Sequence, residues 1–320
     1  MNILYIAPYR LSNSIGYESL NLLYNLHDMG YNIVSRPIFD GSPTIKDQHL
    51  IDPLKKIENN KIETFDILFQ HTPIQQATYT SKIKQHIYWP ITQNIMPSDD
   101  QQEKYRIYSK YVKILYTNDN DKVLLSNIGI SPISKLNYNI SNKFEQINHG
   151  NFNLGIYNRY NKYYTLVDQS MNYTIKYLII NFVKTFSTSN NCLLLFVSNI
   201  GQNILDQYNQ YIKEIYTKFN IKYNINKIVI IPIDFNCQNI LSMHRTGDIF
   251  ISIKNDIQTM FAIRMKKDVV SYGSSPTITW PEHNIHKNGI IEYSNNIDLN
   301  SFCDYSNIHN NTKEVIESYA

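Results

Sequence analysis

Apolar residues in this chain fall into short continuous runs, separated by segments striped at helical spacing. The run from Asn2 to Ala7 gives way to a polar loop from Pro8 to Gly16, the pattern of a buried parallel strand. Between Tyr17 and Met29, the residues Leu20, Leu23, Tyr24 and His27 recur at helical spacing, and Gly30 supplies the stop. Strand patterns follow at 31–38, 65–70, 85–91 and 112–117, and Asp119 opens a helix through Leu125 that Gly129 ends. Strands alternating with helices predict a doubly wound parallel sheet.

The stretch 141–153 is polar, carries Gly150 and reads as a linker; after it the alternation restarts. Strands are predicted at 163–167, 193–198, 227–233, 248–253 and 268–271, with helices at 173–186, 204–219, 239–244 and 259–265. The expectation is therefore two α/β domains, 1–145 and 146–320, each Rossmann-like with a parallel sheet. Two such domains facing each other would bring the carboxyl ends of both sheets to a shared cleft, where sheets of this kind bind ligands. Neither half contains GxGxxG or GxxxxGK[ST], so dinucleotide binding and P-loop chemistry lose support.

Composition refines this picture. With 320 residues, 42% apolar and 18% charged, the chain is globular and long enough for two cores. A net charge of +3 is too small to argue for nucleic acid. Lys and Arg number 30, but only six are Arg; there are four Ala and 26 Tyr. That skew matches an AT-rich genome, such as that of a virus, a phage or a low-GC bacterium. Codon pressure also accounts for the Tyr excess more simply than sugar stacking does. Cys192, Cys237 and Cys303 form no CxxC and are odd in number, so neither disulfides nor a zinc site is supported, and Cys192 and Cys237 read as small core fillers. His283 and His286 lack a third ligand for a metal. The N-terminal run has no basic flank or cleavage site, and no run approaches the ~20 apolar residues of a membrane span. A cytoplasmic protein is expected, in the host cytoplasm if viral.

Several segments, taken in order, resemble the large retaining family of GT-B glycosyltransferases that use nucleotide-sugars. The first strand, the loop with Gly16 and the helix ending at Gly30 are similar to that family's opening strand, glycine loop and helix. Phe65-Asp-Ile-Leu-Phe-Gln-His71 resembles its DxxxxH strand, and Val112-Lys-Ile-Leu-Tyr-Thr-Asn118 with Val123 to Gly129 resembles ADxVIAVSxxxxxxLxxxG. In the second half, Leu241 to Ser252 resembles LYxxADVFVxPS, Lys266 to Val270 resembles GKPVV, and Asn288 to Ile291 resembles NGxLV. The departures are specific. Of the family's Glu-x(7)-Glu pair, Asp256 can stand in for the first member, while the second falls on Phe261 or Ala262. The family's Arg/Lys pair falls near Asn172 and Tyr173, and the GKPVV glycine is Lys266.

The resemblance implies a sugar moved from a nucleotide-sugar, with UDP-sugar the leading donor, retention of configuration, and no metal or other cofactor. The first domain would hold the acceptor (a glycan, a protein or a modified DNA base) and the second the donor. A departing diphosphate must be met by cations or by N–H dipoles at helix starts. Gly16 would let the backbone approach it; Lys254 would add a cation; Thr259 lies where the following helix begins. Asp256 would accept from a ribose hydroxyl, and His71 would hydrogen-bond the donor sugar or assist the acceptor hydroxyl. Arg245 and Arg264 stand out as arginines kept in a lysine-biased chain, fit for bidentate phosphate contacts or for surface ion pairs. The missing second Glu leaves two alternatives: a degenerate GT-B chain that binds or scaffolds, and a nucleotide-sugar hydrolase or epimerase.

Overall fold

A computed structural model describes the chain apart from residues 42, 93–95, 118, 137–139, 148, 169–172, 187–189, 199–200, 221–226, 254–256, 272–284 and 287–320. Two compact units emerge, within Met1–Glu145 and Gln146–Ile291.

The first unit runs β1 (Asn2–Ala7), α1 (Ser14–Asp28), β2 (Asn32–Pro37), α2 (Gln48–Glu58), β3 (Ile67–Thr72), β4 (Gln85–Pro90), α3 (Asp99–Tyr108), β5 (Lys113–Tyr116), α4 (Asp119–Asn127), β6 (Ile133–Lys135) and α5 (Asn142–Glu145). Its six strands are all parallel, in the order β2-β1-β3-β4-β5-β6. The chain leaves β1 toward one side and returns at β3 on the other, so the topological switch point lies between these two strands. Helix α1 starts at Ser14, three residues earlier than its apolar stripe predicts. The Asn13 side chain accepts the Gly16 N–H and caps the first turn. The polar stretches 48–58 and 99–108, which carry little apolar signal, are also helical. Helix α2 buries Leu50, Leu54 and Ile57 on one face despite Pro53, and α3 is opened by a Ser98–Gln101 capping box.

The second unit runs β7 (Asn161–Asp168), α6 (Tyr173–Phe186), β8 (Asn191–Ser198), α7 (Gln202–Lys218), β9 (Ile228–Ile233), α8 (Cys237–Thr246), β10 (Ile249–Ser252), α9 (Ile257–Arg264), β11 (Asp268–Ser271) and β12 (Ile285–His286). The order is β12-β11-β10-β7-β8-β9. Five strands are parallel, and β12 joins the edge antiparallel to β11. The switch point here falls between β7 and β10. Strand β8 is buried on both faces. Leu193, Leu195 and Val197 pack with Leu178, Phe182 and Ile212, while Leu194 and Phe196 pack with Met243, Phe250 and Ala262. That double burial is why it reads as an unbroken apolar run. Among the described residues no helix is long and apolar enough to cross a membrane.

Tyrosines supply much of both cores. Tyr5, Tyr9, Tyr17, Tyr24, Tyr88, Tyr164 and Tyr208 are all fully buried. Their hydroxyls are met from the backbone where they reach it: Tyr5 donates to the Ser19 carbonyl (2.8 Å), Tyr88 to that of Thr72 (2.9 Å), and Tyr24 to that of Leu50. Cys192 and Cys237 are buried and in no disulfide, and burial pushes the Cys192 thiol up to about 11, in keeping with a filler.

Candidate functional site

The carboxyl edge of the first sheet is built from the ends of β1, β3 and β4. His71 is the fifth residue of β3, directly beside Trp89 of β4 in the register. The two rings stack at 3.7 Å and 7°. From α1, Ser19 Oγ donates to the Ile15 carbonyl (2.8 Å) and lies 2.8 Å from His71 Nδ1. The imidazole donates through Nδ1–H when the Ser19 proton goes to Ile15 and accepts at Nδ1 when Ser19 donates to it. Only 2% of His71 is exposed, and burial lowers its pKa to about 3. His71 is therefore a neutral imidazole held against Ser19 and Trp89. A general base for an acceptor hydroxyl needs a pKa near neutrality, which this imidazole lacks.

Gly16 sits in the first turn of α1, next to the same edge. A Cβ there would lie 2.0 Å from the Leu11 carbonyl oxygen and 2.9 Å from the Leu11 Cβ. The space that a missing side chain opens is thus filled by the chain's own loop, and the Gly16 N–H is committed to Asn13 Oδ1 (2.8 Å). In this geometry Gly16 lets the loop after β1 fold over the helix start. Sequence reasoning passed over Arg10, which follows β1 at the switch point. Its guanidinium meets both carboxylate oxygens of Glu58, the last residue of α2, and Tyr9 donates to Glu58 Oε1 (3.2 Å). One of six arginines, placed directly after the first strand, was the available signal.

The corresponding edge of the second sheet carries β7, β10 and the start of α9. Thr259, in the first turn of α9, shares a 2.6 Å hydrogen bond with Ser252, the last residue of β10. Both are buried, so this pair ties the helix start to the strand. Behind it runs a directed chain. His244 Nε2 lies 3.4 Å from Gln258 Oε1 and its Nδ1 lies 3.1 Å from the Tyr164 hydroxyl. An amide oxygen only accepts, so Nε2 carries the proton and Tyr164 donates to Nδ1. Burial lowers the His244 pKa to about 3 and holds the ring neutral. Gly247 makes room for this arrangement, because a Cβ there would lie 2.0 Å from the Tyr164 ring. Of these residues, Ser252, His244 and Gly247 lie within the segment Leu241 to Ser252 that resembles a family motif, and Tyr164 and Gln258 lie outside it.

Arg245 and Arg264 occupy the last turns of α8 and α9. In a parallel α/β unit each helix returns the chain to the amino edge of the sheet. Both arginines are therefore at the edge opposite the strands' carboxyl ends. Arg245 holds the His149 carbonyl (3.2 Å), near the Lys162–Asp248 ion pair (2.8 Å) and Lys267, whose Nζ lies 3.4 Å from the Arg245 carbonyl oxygen. Lys254, Asp256, His283 and the family's basic-pair position at Asn172 lie outside the described residues. Phe261 and Ala262, one or the other of which the resemblance puts at the family's second Glu, are both buried in the core.

Two Rossmann-like units with these strand orders, matched over most of the chain by GT-B structures, give this protein the GT-B fold. One similar solved structure is that of trehalose-6-phosphate from E. coli bound with UDP-2-fluoro glucose. The match covers 85% of this chain and 84% of that one, with a TM-score of 0.52 and 9% identity. An alpha-glucosyltransferase in complex with UDP matches over 85% and 80% of the two chains, at a TM-score of 0.50 and 10% identity. By sequence, no family model and no curated protein matches.

Proposed function

We propose that this protein is a glycosyltransferase that moves a sugar from a nucleotide-sugar, UDP-sugar foremost, to a separate acceptor. The observation that carries this reading is the GT-B fold, shared with structures that hold UDP or a UDP-sugar. The carboxyl edge of the second unit supports it. There α9 presents the N–H groups of its first turn where anions are bound at helix starts, and Ser252 and Thr259 fix that turn in place. In this reading Lys254 supplies the cation for the departing diphosphate and Asp256 accepts a ribose hydroxyl. The anomeric carbon's bond to the diphosphate oxygen breaks as the acceptor oxygen's bond forms on the same face, and the departing diphosphate takes the acceptor proton. His71 hydrogen-bonds a hydroxyl through Nε2 and takes no proton. Retention of configuration and independence of metal follow from the family resemblance and belong to the proposal.

A labelled UDP-sugar assay tests this. Product or UDP should form in the presence of EDTA, and Lys254→Ala and Asp256→Ala should each slow turnover by about tenfold or more. The burial of Phe261 and Ala262 at the second Glu position favours one rival, a GT-B chain that binds without turnover. UDP binding with no sugar transfer or hydrolysis over hours would select that rival.

A further inference from the structure

We infer that the amino edge of the second unit docks on an anionic membrane surface, as a peripheral attachment; the inference does not depend on the glycosyl-transfer reading. Strands β7 to β11 are parallel, so their first residues share this edge, and α6 to α9 end there. Cations collect on it in two groups. In one, Lys162 of β7 pairs with Asp248 (2.8 Å), and Lys267, just before β11, sets its Nζ 3.4 Å from the carbonyl oxygen of Arg245. Burial lowers the Lys267 pKa, and Lys162 and Arg245 push it the same way against the pull of Asp248. In the other group, Lys184 of α6 lies 5.2 Å from the ring centre of Phe219, which follows Lys218 at the end of α7. Lys227, just before β9, donates to the Phe186 carbonyl at the end of α6 (2.7 Å).

Arg159, Arg264 and Lys266 are exposed at the same edge. Among the described residues the carboxylates there are Asp248 and Asp268, while Lys213 and Glu214, about a turn back from the end of α7, offset each other. Part of the excess complements helix dipoles, since each helix carboxyl end presents about half a negative charge. Over four helices that is roughly two charges, so the face stays strongly positive. An apolar side chain stands out from the same face. Gly155–Arg159 forms a 3-10 turn leading into β7, and it is tied to the end of α8 where the Phe152 N–H donates to Thr246 Oγ1 (2.8 Å). Tyr157 and Tyr160 turn inward onto the core, which leaves Ile156 facing out, 66% exposed, beside Arg159. A nucleic-acid backbone would engage the cations and leave Ile156 in water. An anionic bilayer takes both, the cations at its headgroups and the aliphatic side chain at the acyl boundary.

Co-sedimentation of the full chain with vesicles of phosphatidylcholine, or of phosphatidylcholine with phosphatidylserine, tests this. Binding should be confined to the phosphatidylserine vesicles and fall as salt is raised. Lys184→Gln and Lys176→Gln remove the same charge from opposite ends of α6. The first should weaken binding about fivefold, the loss expected for one cation at the membrane surface, and the second should change it less than about twofold. Ile156→Ser should weaken it about threefold or more. All three positions are outside the buried core, and circular dichroism of each variant checks that the fold is kept. Absence of binding to phosphatidylserine vesicles would overturn the inference, as would equal losses from Lys184→Gln and Lys176→Gln. Tighter binding to a random-sequence DNA duplex than to the vesicles, with no effect of Ile156→Ser, would assign the face to nucleic acid and overturn it as well.

Discussion

At the scale of single residues, chemistry here is governed by burial. His71 and His244 both have pKa values near 3 because the folded chain removes water from them without supplying a counter-charge. Both are depressed below the unfolded value of about 6.5. Between roughly pH 3 and 6.5 the unfolded chain therefore holds more protons, and stability falls as pH drops through that window. The slope is up to about 1.4 kcal/mol per pH unit for each histidine, and this contribution is complete above about pH 7. Imidazole NMR signals of both residues should stay fixed from pH 8 to pH 5; a titration near 6.5 would show that these rings are hydrated. Gly16→Ala should cost about 1–3 kcal/mol, since backbone rather than a flexible side chain meets the new Cβ. Denaturant unfolding measures this, and a neutral outcome would mean the loop over α1 yields freely. His71 and Gly16 were recognisable from the sequence as positions. Their packing was not, because the Trp89 stack, the Ser19 bond and the Leu11 contact depend on chain segments far apart or folded back.

At the scale of elements, legibility followed apolar content. Strands such as β1, β3 and β8 announce themselves as buried runs, and α6 as a broad apolar stripe. Helices α2 and α3 were hidden for different reasons. Pro53 interrupts α2 in its middle, and α3 buries only Tyr105 and Tyr108, so its start is marked by a cap rather than by periodicity. Capping is thus the testable support of these polar elements. Asn13→Ala and Ser98→Ala should each destabilise by about 1 kcal/mol, with an unchanged denaturant slope. In β8, Phe196→Ala should cost about 3–5 kcal/mol, because it packs against Tyr164 and Phe152 in a filled layer. A loss below 1 kcal/mol would show that the layer relaxes around the gap.

At the scale of the molecule, two switch points matter: β1/β3 in one unit and β7/β10 in the other. Their carboxyl edges hold His71, Ser252 and Thr259, and they exclude Arg245 and Arg264, whose helices end at the opposite edges. The chain's lysine-, asparagine- and tyrosine-rich spelling leaves few Ala and Gly in the segments that resemble GT-B motifs. Codon bias does not explain the absent second Glu, since GAA is AT-rich. Phe261 and Ala262, one of which falls where the resemblance puts the second Glu, are both buried in the interior of the second unit. Isothermal titration of the full chain with UDP, GDP, ADP and CDP tests the central claim most directly. The account predicts saturable binding of UDP, with a dissociation constant below about 1 mM, weakened by Lys254→Ala. No heat of binding from any of these diphosphates at millimolar concentration would contradict it.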